Sequence, residues 1–173
     1  MRSMTDLSKS EIDALHEALD DEYCALATYD RVIGDFGRVR PFVNIREAEA
    51  RHIAALAALF ARYGLPLLRN DWPRKVRGFA SVRAACQAGV TAEIENGRLY
   101  DRLLARARHA DVRAVFRRLQ QASQLRHLPA FQRCLVRRPR RQVSAGESAK
   151  TGGLMRNGPV RRRRRGQNQA NSR

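Results

Sequence analysis

Apolar residues recur at steps of three and four along four long stretches of this chain, the spacing that lines one face of an α-helix. The first runs through Leu15, Leu19, Leu26, Tyr29, Ile33 and Phe36. Ser8 and Glu11 have the spacing of a capping box before it, and Gly37 supplies a stop after it, so a helix is expected over about 8–36. A second seam reads Phe42, Ile45, Leu56, Leu59 and Tyr63, opened by Pro41 and ended by Gly64 and Pro66. The third, behind a Ser81 cap, holds Val82, Cys86, Gly89, Tyr100 and Leu103; the fourth, capped by Asp111, holds Val112, Phe116, Leu119, Phe131 and Cys134. Pro129 lacks a backbone donor and is expected to kink this last helix just past His127.

Short breaks at Gly37 and around His109 to Asp111 make antiparallel neighbours of the first and second helices and of the third and fourth. Leu65 to Ala80 shows no sustained period and reads as a loop. At roughly 3.3 Å per extended residue it can reach about 50 Å, more than the roughly 35 Å of the second helix. The expected fold is therefore all-α: a four-helix bundle of two antiparallel hairpins joined by a long crossover, the connectivity of ferritin-like bundles.

Charge changes the picture at one end. The chain carries a net +17, and residues 137–173 hold 12 basic residues against Glu147 alone, leaving +6 for the body. That stretch lacks apolar periodicity and is rich in Gly, Ser, Asn and Gln, so residues 1–136 read as the folded domain and 137–173 as a disordered Arg-rich tail. No stretch approaches the roughly 18 apolar residues of a membrane span and no signal core opens the chain, so a cytoplasmic protein without membrane contact is expected. Cys24, Cys86 and Cys134 are odd in number and lie far apart in helical patterns, which reads as reduced core thiols.

Candidate chemistry comes from residues that break the seams. Glu22 falls on the buried line of the first helix, Glu49 and His52 on that of the second, Glu93 and Asn96 on that of the third, and Ser123 and His127 on that of the fourth. Any one of them alone reads as a solvated carboxylate or a hydrogen-bonded histidine. Together, Glu22, Glu49, His52, Glu93 and His127 lie near helix centres, where antiparallel packing brings them to one level. Three unpaired buried carboxylates would overwhelm a net stability of about 5–15 kcal/mol, and a metal cation is the simplest compensator. Glu49 and His52 have the i, i+3 spacing that points a carboxylate and an imidazole at one place. Glu95 lies about 200° around the helix from Glu93 and cannot share its face.

The run Asp21-Glu22-Tyr23, Phe36-Gly37, Arg40-Pro41-Phe42, Glu47 to His52 and Phe60 to Gly64, followed by Ala92 to Glu95 and His127 to Phe131, resembles the ferritin-like domain of unknown function catalogued as DUF2202. The resemblance covers roughly residues 8–136. It implies a ferritin-like bundle with Glu22, Glu49, His52, Glu93 and His127 as metal ligands, and brings no established reaction. One departure stands out. Gln124 occupies the position three before His127, where related di-iron bundles carry a fourth carboxylate.

The ligand types suit iron, one ion or two, with manganese and zinc fitting the same donors. Iron there implies oxidase, ferroxidase or peroxide-scavenging chemistry with dioxygen or peroxide as partner. The competing reading is a non-catalytic, metal-stabilised bundle acting as a structural or interaction module. A third is non-specific nucleic-acid binding by Arg161 to Arg165, which lack interleaved aromatics for base stacking. A homodimer is compatible with the sequence. Ser123 and His127 share a face but have no acid partner or oxyanion loop, which argues against nucleophilic catalysis.

Overall fold

A computed structural model of the protein describes residues 6–136; the expected tail lies outside them. Among the described residues the secondary structure is helical, with no strand: α1 (Lys9–Phe36), α2 (Phe42–Arg62), the single turn α3 (Trp72–Lys75), α4 (Val82–Arg106), α5 (Ala110–Ala122), a π-helical segment Ser123–His127, and α6 (Leu128–Val136). No helix among them is long and apolar enough to cross a membrane.

Local chemistry sets the boundaries. The Ser8 side chain accepts from the Glu11 amide and the Glu11 carboxylate accepts from the Ser8 amide, closing the capping box of α1. Gly37 ends α1 at φ 78°, left-handed backbone that costs glycine nothing. Ser81 caps α4 by accepting from the Ala84 amide.

Three boundaries depart from the sequence reading. The expected Leu65–Ala80 loop holds the turn α3, and Trp72 donates from Nε1 to Asp20 of α1 at 2.8 Å, which ties the crossover to that helix. The helix expected to be capped by Asp111 begins two residues earlier, at Ala110 behind His109. The Asp111 carboxylate instead accepts from Tyr63 and Arg62 at the end of α2. The break in the fourth helix lies ahead of Pro129: the Leu128 amide reaches back five residues to the Ser123 carbonyl, widening the turn before the proline arrives.

Cross-helix bonds give the directions. Asp30 pairs with Arg46 and Glu22 with His52, so α1 and α2 run oppositely. Asn96 bonds Asp21 and Arg106 bonds Glu17, so α4 also opposes α1. Gln120 bonds Asp101 and Ser123 bonds Glu93, so the α5–α6 arm opposes α4. Consequently α2 and α4 run the same way, which requires the long connection between them.

Two hydrophobic clusters form the core. One gathers Leu15, Leu19, Leu56, Phe60, Tyr100 and Phe116; the other gathers Tyr29, Val32, Phe42, Ile45, Cys86 and Phe131. In the second cluster Phe131 lies over Gly89: a Cβ there would stand 2.7 Å from the ring, so a Gly89→Ala change costs about 1–3 kcal/mol of overpacking. The cysteines of this cluster depart from expectation. Cys86 and Cys134 form a disulfide between α4 and α6, with Cα atoms 6.2 Å apart, and Cys24 alone is free. Packing of α6 across α4 brings together two positions 48 residues apart in sequence, a proximity no spacing rule reveals.

Candidate metal centre

Between the two apolar clusters lies a polar layer. Glu22, Glu49, Glu93, Ser123 and His127 are each at most 4% exposed, and His52 is nearly buried. All five expected site residues meet here, one from α1, two from α2, one from α4 and one from the π segment.

Glu49 stands at the centre. Its Oε2 is 2.8 Å from His52 Nδ1 and its Oε1 is 3.2 Å from His127 Nδ1. His52 Nδ1 is also 3.2 Å from Glu22 Oε2, and His127 Nδ1 is 3.5 Å from Glu93 Oε1. The side chains thus form two triads, Glu22–Glu49–His52 and Glu49–Glu93–His127, each with donor atoms within 4.8 Å of one another. The imidazole rings stack at 5.6 Å between centroids. Two oxygens and a nitrogen per triad, drawn from different helices onto one spot, fit a divalent transition-metal ion.

The outer oxygens are held by hydroxyls. Tyr100 donates to Glu22 at 2.7 Å, Tyr29 to Glu93 at 3.1 Å and Ser123 to the other Glu93 oxygen at 2.5 Å. The seams mark Tyr29 and Tyr100 as apolar positions; their rings do pack in the clusters, but their hydroxyls reach the carboxylates. Such bonds fix the rotamers and basicity of the donor groups.

Electrostatics follow from this packing. Burial, reinforced by the neighbouring Glu49 carboxylate, pushes Glu22 well above the usual carboxylate range. Burial works against charge on Glu49 too, but bonds with His127 and His52 outweigh it and hold Glu49 low. Burial alone would lower both imidazoles. Their carboxylate partners win, raising His52 to about 9 and His127 to about 10. Metal-free, the layer is therefore an ionised Glu49 between two imidazolium groups. Tyr29 and Tyr100 are pushed well above their ordinary value by burial and the nearby carboxylates, so both remain donors.

Glu95 is exposed, away from the layer. Gln124 takes no part in either triad: its amide donates to the Glu93 backbone carbonyl at 2.6 Å. Gly97 makes room for it, since a Cβ there would stand 2.7 Å from Nε2. Asp21, which the sequence reading quoted only as family context, bonds Asn96 at 2.7 Å beside the layer, and burial raises it to about 6. Its sequence position next to Glu22, off the apolar seam, carried no signal of this.

No family model matches the chain, and no curated protein matches it. Among solved structures, the chain is similar to a hypothetical protein from Methanococcus jannaschii: TM-score 0.68 at 21% identity, covering 78% of this chain and 85% of that one. At that identity the likeness speaks for a shared helical fold alone.

Proposed function

We propose that this chain is a ferritin-like bundle in which Glu22, Glu49, His52, Glu93 and His127 hold two metal ions, iron in the working protein, for oxidase, ferroxidase or peroxide-scavenging chemistry. One observation carries the reading: the two oxygens of Glu49 face two different imidazoles, each backed by a further carboxylate. Three carboxylates with two neutral imidazoles sum to −3, which a divalent pair overturns to +1, close to neutral for a buried site. The up-down-down-up order of α1, α2, α4 and the α5–α6 arm supports the ferritin-like assignment.

Bound iron would supply electron transfer toward dioxygen or peroxide. The protein's own contribution is positional. Glu49 ties the two triads together, Tyr100 and Ser123 hold the outer carboxylates in place, and the two apolar clusters keep bulk water from both ends of the layer.

A second reading, a metal-stabilised bundle without turnover, is favoured by Gln124, which stands three before His127 where a fourth carboxylate would complete the donor set and donates to the Glu93 backbone carbonyl. Anaerobic loading with Fe(II), followed by exposure to air-saturated buffer in an oxygen electrode, separates them. Uptake of dioxygen or added peroxide that disappears in Glu49→Ala is expected. Bound iron with neither oxidant consumed would leave the second reading standing.

A further inference from the structure

We propose that the cavity between α1 and α4 is a binding pocket for a small neutral organic molecule of about benzene size carrying one hydrogen-bond donor, held against the carboxylate layer. The cavity measures about 140 Å³. It exists because both helices present small side chains to each other: Ala25 and Thr28 on α1, Ala85, Ala88 and Ala92 on α4. Ala92 is exposed and Thr28 and Ala88 are half-buried, so the space opens to solvent there, while its floor is the polar layer itself: Glu22, Glu49, Glu93, Ser123 and the His52 and His127 rings.

Size, charge and polarity each narrow the guest. An apolar cavity of about 150 Å³ in another protein accommodates benzene, so this volume suits roughly six to eight heavy atoms. No Lys or Arg lines the cavity among the described residues, and its ionisable groups are the layer's own carboxylates and imidazoles with Asp21, Cys24 and Tyr29. The cations of the wall, the His52 and His127 rings, are already paired with Glu22, Glu49 and Glu93, so an anion would meet carboxylates with no unpaired cation to receive it. The walls ask for hydrocarbon. A single polar demand remains: Asn96 lines the cavity with its Nδ2 committed to Asp21, and its buried Oδ1 receives no hydrogen bond from a described residue. Leaving a buried acceptor unmet is costly, so a guest O–H or N–H placed there gains both the bond and the removal of that penalty.

The inference rests on the proposed metal pair for what the guest meets at the floor, whereas occupancy of the cavity itself does not require the metal. The test uses phenol as probe, titrated calorimetrically into the full chain, both metal-free and loaded with Mn(II). Ala88→Leu fills the cavity, Thr28→Leu fills it from the opposite helix, and Ala54→Leu on the exposed face of α2 is the control. Saturable one-to-one phenol binding is expected in wild type and control, weakened at least tenfold in both filled variants, with manganese content unchanged in all four. If one filled variant unfolds by circular dichroism, the other decides. Absent phenol binding in wild type, or equal binding in a folded filled variant, overturns the pocket. Phenol binding with no manganese retained would instead count against the metal reading and leave the pocket intact.

Discussion

Replacing Glu49 by Gln should remove metal stabilisation from two places at once, whereas replacing Glu22 or Glu93 should remove it from one. Each ion held at 100 times its dissociation constant stabilises the fold by about 2.7 kcal/mol, so two contribute about 5 kcal/mol. For a body of this size, between the small and larger domain classes, that corresponds to a Tm rise of about 15–20 °C. Loss of a metal-orienting partner costs 10–100-fold in affinity, and loss of a ligand at least the upper figure, which leaves only about 0.4 kcal/mol at an affected triad. Glu22→Gln, sparing Glu49–Glu93–His127, should keep about 3 kcal/mol, a rise of about 10 °C. Glu49→Gln, touching both triads, should keep under 1 kcal/mol, a rise of about 3 °C or less. The assay is scanning calorimetry of each protein with chelator and with Mn(II), compared within each variant so that changes in the metal-free baseline cancel. Equal losses in Glu22→Gln and Glu49→Gln would refute the shared-carboxylate geometry.

Other outcomes follow from the same structure. Glu11 is 1% exposed and accepts from the Ser8, Arg108 and His109 amides and pairs with the His109 ring, pinning the start of α1 to the α4–α5 turn. Against the burial penalty these bonds hold its carboxyl well below the ordinary 4.5, so Glu11→Gln should cost about 2–4 kcal/mol above that pH. Because the folded value is depressed, the difference from wild type should shrink as pH falls below about 4.5; a pH-independent difference in urea melts would contradict the network. Ellman titration of the denatured, unreduced protein should find one thiol, Cys24, and three after reduction; three without reduction would sink the Cys86–Cys134 bridge. Closing a loop of 48 residues, that bridge should contribute about 4 kcal/mol, lost on reduction. Finally, His52 and His127 titrate near 9 and 10 without metal, so an incoming ion must displace their protons. Apparent Mn(II) affinity should rise between pH 6 and 9 with protons released on loading, and a flat profile would count against imidazole ligation.

Much of this molecule is legible in the sequence where one helix suffices to read it. Steps of three and four located every long helix, and the Ser8–Glu11 pair located the first boundary to the residue. Polar groups on apolar seams pointed to the level at which five side chains meet, because a buried carboxylate needs a partner whatever the fold. Features requiring two packed helices were hidden. Cys86 and Cys134 each look like core thiols until α6 lies across α4. Glu11 looks like a local cap until its carboxylate is seen to reach Arg108 and His109, 97 and 98 residues on. The π segment did leave a trace: Leu119, Ser123, His127 and Phe131 follow one another by fours, and each such step overshoots an α-helical face by about 40°. Only a widened turn keeps all four inward, and that turn lies ahead of Pro129. The cavity was invisible for a different reason, since small residues on two helices make space only when they face each other.

The most direct test of the account is elemental analysis of the chain, loaded anaerobically with Fe(II) and desalted, alongside Glu49→Ala. Two ions per wild-type chain and fewer than one in the variant are the predicted result. A wild-type chain that retains less than one ion, with melting unchanged by chelator, would show that the buried carboxylates are balanced by their histidines alone.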